Sequence, residues 1–445
     1  MGKTVAKLSL WARDGRCLAK LTRDNQPCPA AGYAALDTEA TAAWLIEGLA
    51  QFAQHPVEAI IPVAHGAAVA AIRDGKLAFA PMDYEWELPA QSLSEYRQQR
   101  DPFAVTGSPA LPAGLNIGSQ LHYLDGLGLL DGATLMPYAQ YWAWLLSGAA
   151  VSEVTSFGCH SDLWSPAQHQ FSPMAKQRGW ADKFGPLAKA GDVIGTLRPE
   201  LAKATGRSPQ VRIHAGLHDS NAALLAARGF PEIASSEATV LSTGTWFIAM
   251  RSPVGPVDLS ALPEARDCLV NVDVAGQPVP SARFMGGREV ELLGQRIDRA
   301  GTDGLADVLL NEAMVLPAHT PGSGPFPTCF GHWINRPEPA DEQAAAIALY
   351  AALMADVSLD LIGAQALLLI EGRFAASELF TRALATLRPD TQVFTASAEA
   401  DVSFGALRLI DPALTPQGAL VAVKPLDRDL TAYRDLWLED IEAFA

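Results

Sequence analysis

His214-Ala-Gly-Leu-His-Asp-Ser-Asn-Ala-Ala-Leu-Leu-Ala-Ala227 is the stretch whose reading decides the fold. A short apolar run ends in a glycine and Asp219, small residues follow, and a helical pattern takes over from about Ser220. That is the signature of a strand-to-helix corner. A carboxylate at such a corner can face a cleft, which makes Asp219 the first candidate for a general base. A second reading of the same residue is structural, since Asp is a favoured helix N-cap. Further on, Val240-Leu-Ser-Thr-Gly-Thr-Trp246 ends another apolar strand in hydroxyls and a glycine. There backbone N–H groups and Ser/Thr hydroxyls can converge on an anion such as phosphate. A base paired with a phosphate cradle is the equipment of phosphoryl transfer.

Working outward, Thr4 to Trp11, the Asp14-Gly15 turn and the strand from Cys17 predict a hairpin. A helix is expected from Thr38 to Phe52, then a strand over Val57–Val63 that delivers His65 and Gly66 to its end. A second Asp-Gly turn, Asp74-Gly75, leads into Lys76–Ala80 and Asp83-Tyr84-Glu85. From Gly118 to Leu146 the apolar spacing predicts helices interrupted by Pro137. After Asp219 the pattern restarts. Strands are expected within Ala238–Met250 and over Asp267–Val274, with helices over Gly287–Ala300, Asp341–Gly363 and Leu430–Phe444.

At 445 residues the chain exceeds one ordinary core, so two domains with a cleft between them are expected, 1–228 and 229–445. Nothing low in complexity separates the halves, so the hinge should be tight. The residues are 49% hydrophobic and 18% charged, the composition of a compact soluble enzyme. A formal net charge of −16 opposes nucleic acids and anionic membranes, both polyanions. The cysteines, Cys17, Cys28, Cys159, Cys268 and Cys329, are scattered and odd in number, which reads as reduced and cytoplasmic. The start lacks the apolar core of a signal peptide. The apolar run from Ala344 to Ile370, interrupted by Asp356 and Asp360, reads as a buried helix entering a strand, not a membrane span. His160 and His214 lack the ligand spacing of a zinc site, and Trp11 and Trp86 are candidates either for stacking on a ligand or for the core.

In this order the motifs resemble the FGGY family of carbohydrate kinases, and the match runs nearly end to end. The resemblance implies an α/β fold of two ribonuclease-H-like, actin-like domains with a cleft between them. The N-terminal domain would bind the sugar and the C-terminal domain the nucleotide. Gly2-Lys3-Thr4 looks like the family's first phosphate loop, although the Asp that opens that loop is absent. That absence gives two expectations: a start lying upstream, or weak binding of MgATP. His65-Gly66 and Asp83 with Glu85 resemble the sugar loop. Tyr141–Gly148 and Ser152-Glu-Val-Thr155 are similar to a helix–turn stretch, and Gly216-Leu-His-Asp219 stands where the catalytic Asp belongs. The His218-Asp219 dipeptide most resembles rhamnulokinases.

The same resemblance makes Ser242, Thr243, Gly244 and Thr245 the second phosphate contact. It points to Gly372, Ser377 and Gly405 for the adenosine region, where the family's run of three glycines is here Glu-Gly-Arg. It implies ATP and Mg²⁺, and a small sugar as partner with Asp219 as base and His65, Gly66, Asp83, Glu85 and His218 around it. L-Rhamnulose or L-fuculose is the first expectation and a xylulose- or ribulose-type pentulose the second. A catalytically weak sugar-binding homologue is the alternative from another class. Family members are often dimers or tetramers, so a homo-oligomer is expected.

Overall fold

The computed structural model of the chain describes residues 1–30, 32–297, 301–397 and 402–444. The chain forms two compact units. The first comprises Met1–Gly229, Val270–Pro278 and Ala400–Pro416; the second comprises Phe230–Leu269, Val279–Glu399 and Gln417–Ala445. The chain therefore re-enters the first unit twice after residue 229, which a single cut along the sequence does not express.

In the first unit the expected hairpin forms from antiparallel strands Val5–Trp11 and Cys17–Asp24 around the Asp14-Gly15 turn. Helix Thr38–Gln51 starts on Asp37, whose carboxylate accepts from the Ala40 N–H at 2.9 Å, and it buries Leu45 and Leu49. The strand expected over Val57–Val63 is realised as two pieces, Ala59–Ile60 and Val63–Ala64. Pro62 has no N–H to give to a ladder, so the break falls there. Each piece pairs in parallel with a piece of the strand that leads to Asp219: Arg212↔Ala59 and Ile213↔Ile60, then Leu217↔Val63 and His218↔Ala64.

One expectation is corrected. Pro137 does not interrupt a helix; it ends strand Thr134–Pro137, which pairs with Val69–Arg73, and it is the N-cap residue of helix Tyr138–Ser147. Proline suits that junction because it fixes φ and needs no donor partner. Leu135 and Met136 are wholly buried, so apolar spacing alone did not separate strand from helix here.

The second unit is built on a sheet in which Ala238–Thr243 is flanked by antiparallel Phe247–Ser252 and parallel Leu367–Gly372, the latter continuing to Gln392–Ala396. The helix expected over Asp341–Gly363 spans Ala340–Leu361 and enters strand Leu367–Gly372. Among the described residues it is the one helix long and apolar enough to cross a membrane, and 78% of its most apolar window is buried in the core. The helix expected over Gly287–Ala300 is shorter, Gly286–Leu292, and ends before Gly294 at φ 79°; residues 298–300 lie outside the described residues. Helix Thr431–Phe444 closes the chain, with the Trp437 indole donating to the Val315 carbonyl at 2.8 Å.

Candidate active site

The corner at Asp219 owes its shape to an extra residue. Between the Ile213–Ile60 and Leu217–Val63 pairs, one strand passes through His214, Ala215 and Gly216 while its partner passes only through Ile61 and Pro62. Such a bulge bends the strand and re-aims the side chains beyond it. Gly216 sits at φ 79°, and a Cβ there would lie 2.1 Å from the Pro62 carbonyl oxygen, so only glycine fits. The buried Gln140 amide spans the bulge, donating from Nε2 to the Ala215 and Gly216 carbonyls at 3.1 Å each. On the far side the His218 N–H donates to Thr155 Oγ1 at 3.0 Å. Thr155 in turn donates from Oγ1 to Glu153 Oε2 at 2.5 Å.

Asp219 is the first residue of helix Asp219–Ala227, and His218, not Asp219, is its N-cap. The alternative reading of Asp219 as the cap therefore does not hold. Its Oδ1 accepts from the Ser220 N–H at 2.7 Å and lies 3.3 Å from His218 Nε2, and its side chain is 38% exposed. Asn221 Nδ2 lies 3.4 Å from His218 Nδ1, which makes Nδ1 the acceptor and leaves the ring proton on Nε2, toward Asp219. Burial holds the His218 imidazole below its ordinary pKa against the pull of Asp219, so it is neutral.

His65 reaches the same corner because its strand piece pairs with that of His218. Its Nδ1 donates to the Gly66 carbonyl at 2.6 Å, and its Nε2 is buried with no hydrogen-bond partner among the described residues. Burial, opposed by the Gly66 carbonyl and Asp219, pushes the His65 pKa down to about 4. A neutral ring with Nδ1 protonated presents Nε2 as a bare acceptor, a natural partner for a hydroxyl. Gly66 must be bare as well, since a Cβ would come within 2.9 Å of His218 Nε2 and 3.1 Å of Cys159 Sγ. Tyr84 and Tyr138 wall the His65 ring at 5.4 and 4.9 Å between centroids.

Asp83 and Glu85 meet Lys3: the Lys3 ammonium pairs with the buried Asp83 carboxylate and lies 3.4 Å from Glu85 Oε2. With Thr4, Asp24 and Asn25 these residues line an open cleft of about 390 Å³. A residue expected on the phosphate side thus lies with two expected on the sugar side. Gly2 hydrogen-bonds Val5 and Asn25 beside them. Gly405 also belongs to this unit, where it packs on the Asp219 helix so closely that a Cβ would lie 1.8 Å from the Ala222 carbonyl oxygen. Trp11 packs on Phe404, and Trp86 packs on Tyr33 and Tyr123. His160 and His214 each hydrogen-bond a backbone carbonyl through Nδ1.

In the second unit the parallel register places Ser242 opposite Glu371 and Thr243 opposite Gly372. Ser242 Oγ donates to Glu371 Oε1 at 2.6 Å. The buried Thr243 donates to the Glu371 carbonyl at 2.6 Å and accepts from the Phe374 N–H at 3.0 Å. Gly244, Thr245 and Gly372 are exposed at the strand ends, and Gly372 has φ 85° with no room for a side chain beside Thr243. Ser377 is wholly buried at the head of helix Glu378–Leu387, its hydroxyl without a partner among the described residues.

Sequence reasoning missed Gln140, and singled out Glu153, Thr155 and Glu371 only as parts of motifs. A buried polar residue in an apolar helix, as in Tyr138-Ala-Gln-Tyr-Trp142, was a usable signal.

Residues 235–417 match the profile described as the C-terminal domain of FGGY carbohydrate kinases. The chain is also 58% identical to a carbohydrate kinase from Novosphingobium aromaticivorans, with 99% of each chain covered and a TM-score of 0.96. The chain belongs to the FGGY family of carbohydrate kinases. It is a phosphotransferase with two ribonuclease-H-like domains, and kinases of this family use ATP as phosphoryl donor. FGGY-type architecture is shared at low identity with gluconate kinase from Lactobacillus acidophilus, 14% identical at TM-score 0.79 over 99% of this chain and 96% of that one. Glycerol kinase from Plasmodium falciparum is 11% identical at TM-score 0.79, over 100% and 96%. No curated protein matches the chain.

Proposed function

We propose that this FGGY kinase phosphorylates a hydroxyl of a small ketose, with Asp219 as general base. The observation that carries the reading is the pair of parallel strand ends that brings His65 Nε2, an acceptor without a partner among the described residues, to the corner where Asp219 begins its helix. Asp219 Oδ1 is occupied by Ser220 and faces His218, so Oδ2 is the oxygen that takes the proton of the attacking hydroxyl as the O–P bond forms. His65 accepts from a second sugar hydroxyl, and the Asp83 and Glu85 carboxylates, oriented by Lys3, accept from others. His218 donates to Asp219 and holds the base in place.

In this reading the first unit, which holds most of residues 1–228, is the sugar domain, and the second, drawn from within 229–445, is the nucleotide domain. Gly2, Lys3, Thr4, Gly244, Thr245 and Gly372 supply phosphate contacts, and Ser377 and Gly405 support the nucleotide region. Among the described residues no three His, Cys, Asp or Glu side chains lie together to hold a metal. A Mg²⁺ carried by the phosphates and waters of MgATP would neutralise phosphate charge. Ketoses lacking the 6-hydroxyl, L-rhamnulose and L-fuculose, are the first acceptors to test, followed by D-xylulose and D-ribulose.

Release of ADP with this panel, in wild type and Asp219→Asn, tests the reading. Turnover of a ketose that the substitution lowers by about a thousandfold supports it. Equal turnover in both proteins, or turnover of none of the ketoses, rejects it.

A further inference from the structure

The buried carboxyl of Glu153 touches none of the proposed substrate-binding groups, yet it is the end of a chain of hydrogen bonds that leads to Asp219. Glu153 is wholly buried and is the N-cap of the short helix Val154–Phe157, its Oε1 accepting from the Thr155 N–H at 3.1 Å. Its Oε2 takes the single proton of the Thr155 hydroxyl. With that proton committed, Thr155 Oγ1 has only lone pairs left, and it accepts the His218 N–H at 3.0 Å. The direction of every bond in the chain is therefore set by the carboxylate. His218 is the last residue of its strand and the cap of the Asp219 helix, so its N–H is the last backbone anchor before the base.

We propose that Glu153, acting through Thr155, is a positioning residue for phosphoryl transfer, fixing the strand-to-helix corner so that the Asp219 carboxylate meets the acceptor hydroxyl. The proposal rests on Asp219 being the base. Glutamine at 153 would keep the shape and reverse the polarity. Its amide would donate to Thr155 Oγ1 and compete with the His218 N–H, leaving one buried donor without an acceptor. Placement errors near 1 Å cost on the order of a hundredfold in rate. Burial pushes the Glu153 carboxyl up to about 7, so pH 8 is the pH at which it acts as an acceptor.

The test uses the full chain at pH 8, with Glu153→Gln, Thr155→Val and Thr155→Ser, and two readouts. The first is hydrogen exchange of the peptide 215–222 without any ligand. The second is kcat and KM from ADP release, with the ketose of highest kcat/KM in the panel above. Glu153→Gln and Thr155→Val should each speed exchange about tenfold and lower kcat ten- to a hundredfold, leaving KM for ATP within about twofold. Thr155→Ser, which keeps the hydroxyl, should restore both. The double variant should be no worse than either single one, as members of one chain are not additive.

Unchanged exchange in both disruptive variants overturns the proposal, as does a Thr155→Ser protein as impaired as Thr155→Val. Thr155→Val nearly preserves side-chain volume and guards against a folding failure of Glu153→Gln. Should Asp219→Asn keep full turnover, the base assignment falls. Should Asp219→Asn be inactive while Glu153→Gln and Thr155→Val match wild type, only the positioning role falls.

Discussion

Each unit of this kinase ends a pair of parallel strands in a chemical corner, and the two corners are built on opposite principles. At Asp219 the backbone is clamped by buried side chains, with Gln140 on the carbonyls of the bulge and Thr155 on the N–H of His218. The groups left over, His65 Nε2 and Asp219 Oδ2, have no competing partner among the described residues. At Ser242–Thr245 the hydroxyls of Ser242 and Thr243 are themselves the clamp, committed to the side chain and backbone of Glu371. In the exposed turn the Gly244 N–H is itself given to the Trp246 carbonyl at 3.0 Å, so the donors proposed there for an anion are those of Thr245. A proton acceptor works through the direction of one oxygen and needs a rigid support. An anion is bound by several donors at once, the role we propose for the neighbourhood of Thr245.

The contrast can be broken most sharply at its rigid end. Asp219→Asn should lower kcat by about a thousandfold, about 4 kcal/mol, with KM for ATP little changed. A loss in KM instead would move Asp219 from chemistry to binding. Gly216→Ala places a methyl against the Pro62 carbonyl at positive φ and should cost about 3 kcal/mol in urea unfolding, with activity falling alongside. Wild-type stability there would mean that the bulge relaxes freely.

Protonation sharpens the same corner. The folded His65 pKa is lowered to about 4 from an ordinary 6.5, so between those values the unfolded chain binds the proton and the native chain does not. Stability from this group is complete above pH 6.5 and is lost as pH falls toward 4, by up to about 3 kcal/mol. His65→Gln should flatten the fall between pH 6.5 and 4.5 in urea titrations, and an unchanged slope would remove His65 as its source. The smallest effect is expected at the other corner. Ser242→Ala should raise KM for ATP less than about threefold, because its proton is already given to Glu371, whereas Thr245→Ala should raise it more. The reverse order would make Ser242 the direct phosphate donor.

Much of this was legible along the chain. Asp-Gly turns marked the hairpins at 14–15 and 74–75, and the long helix near 340–361 showed as an apolar run too broken by Asp356 and Asp360 for a membrane. Strand ends carrying His65, Asp219 and Ser242 were readable because apolar runs stopped at polar and small residues. What misled was equally physical. Leu135 and Met136 have the same apolar character in a buried strand as in a helix, and only pairing with Val69–Arg73 decided between them. A close approach such as that of Gly405 to the Ala222 carbonyl, which leaves no space for a side chain, is likewise invisible to local pattern.

By itself the sequence determined the kind of chemistry: a carboxylate at a strand-to-helix corner, hydroxyls and a glycine at another, and enough apolar residues for two cores. Those are properties of neighbouring residues, set by local periodicity and turn chemistry. Only the tertiary structure decided which groups share a site, that His65 meets His218 and Asp219, that Lys3 turns to Asp83, and that Glu153 stands behind Thr155. Strand register and the direction of a hydrogen bond depend on residues far apart in the chain, paired as Ala64 is with His218 across adjacent strands, and no local pattern records them.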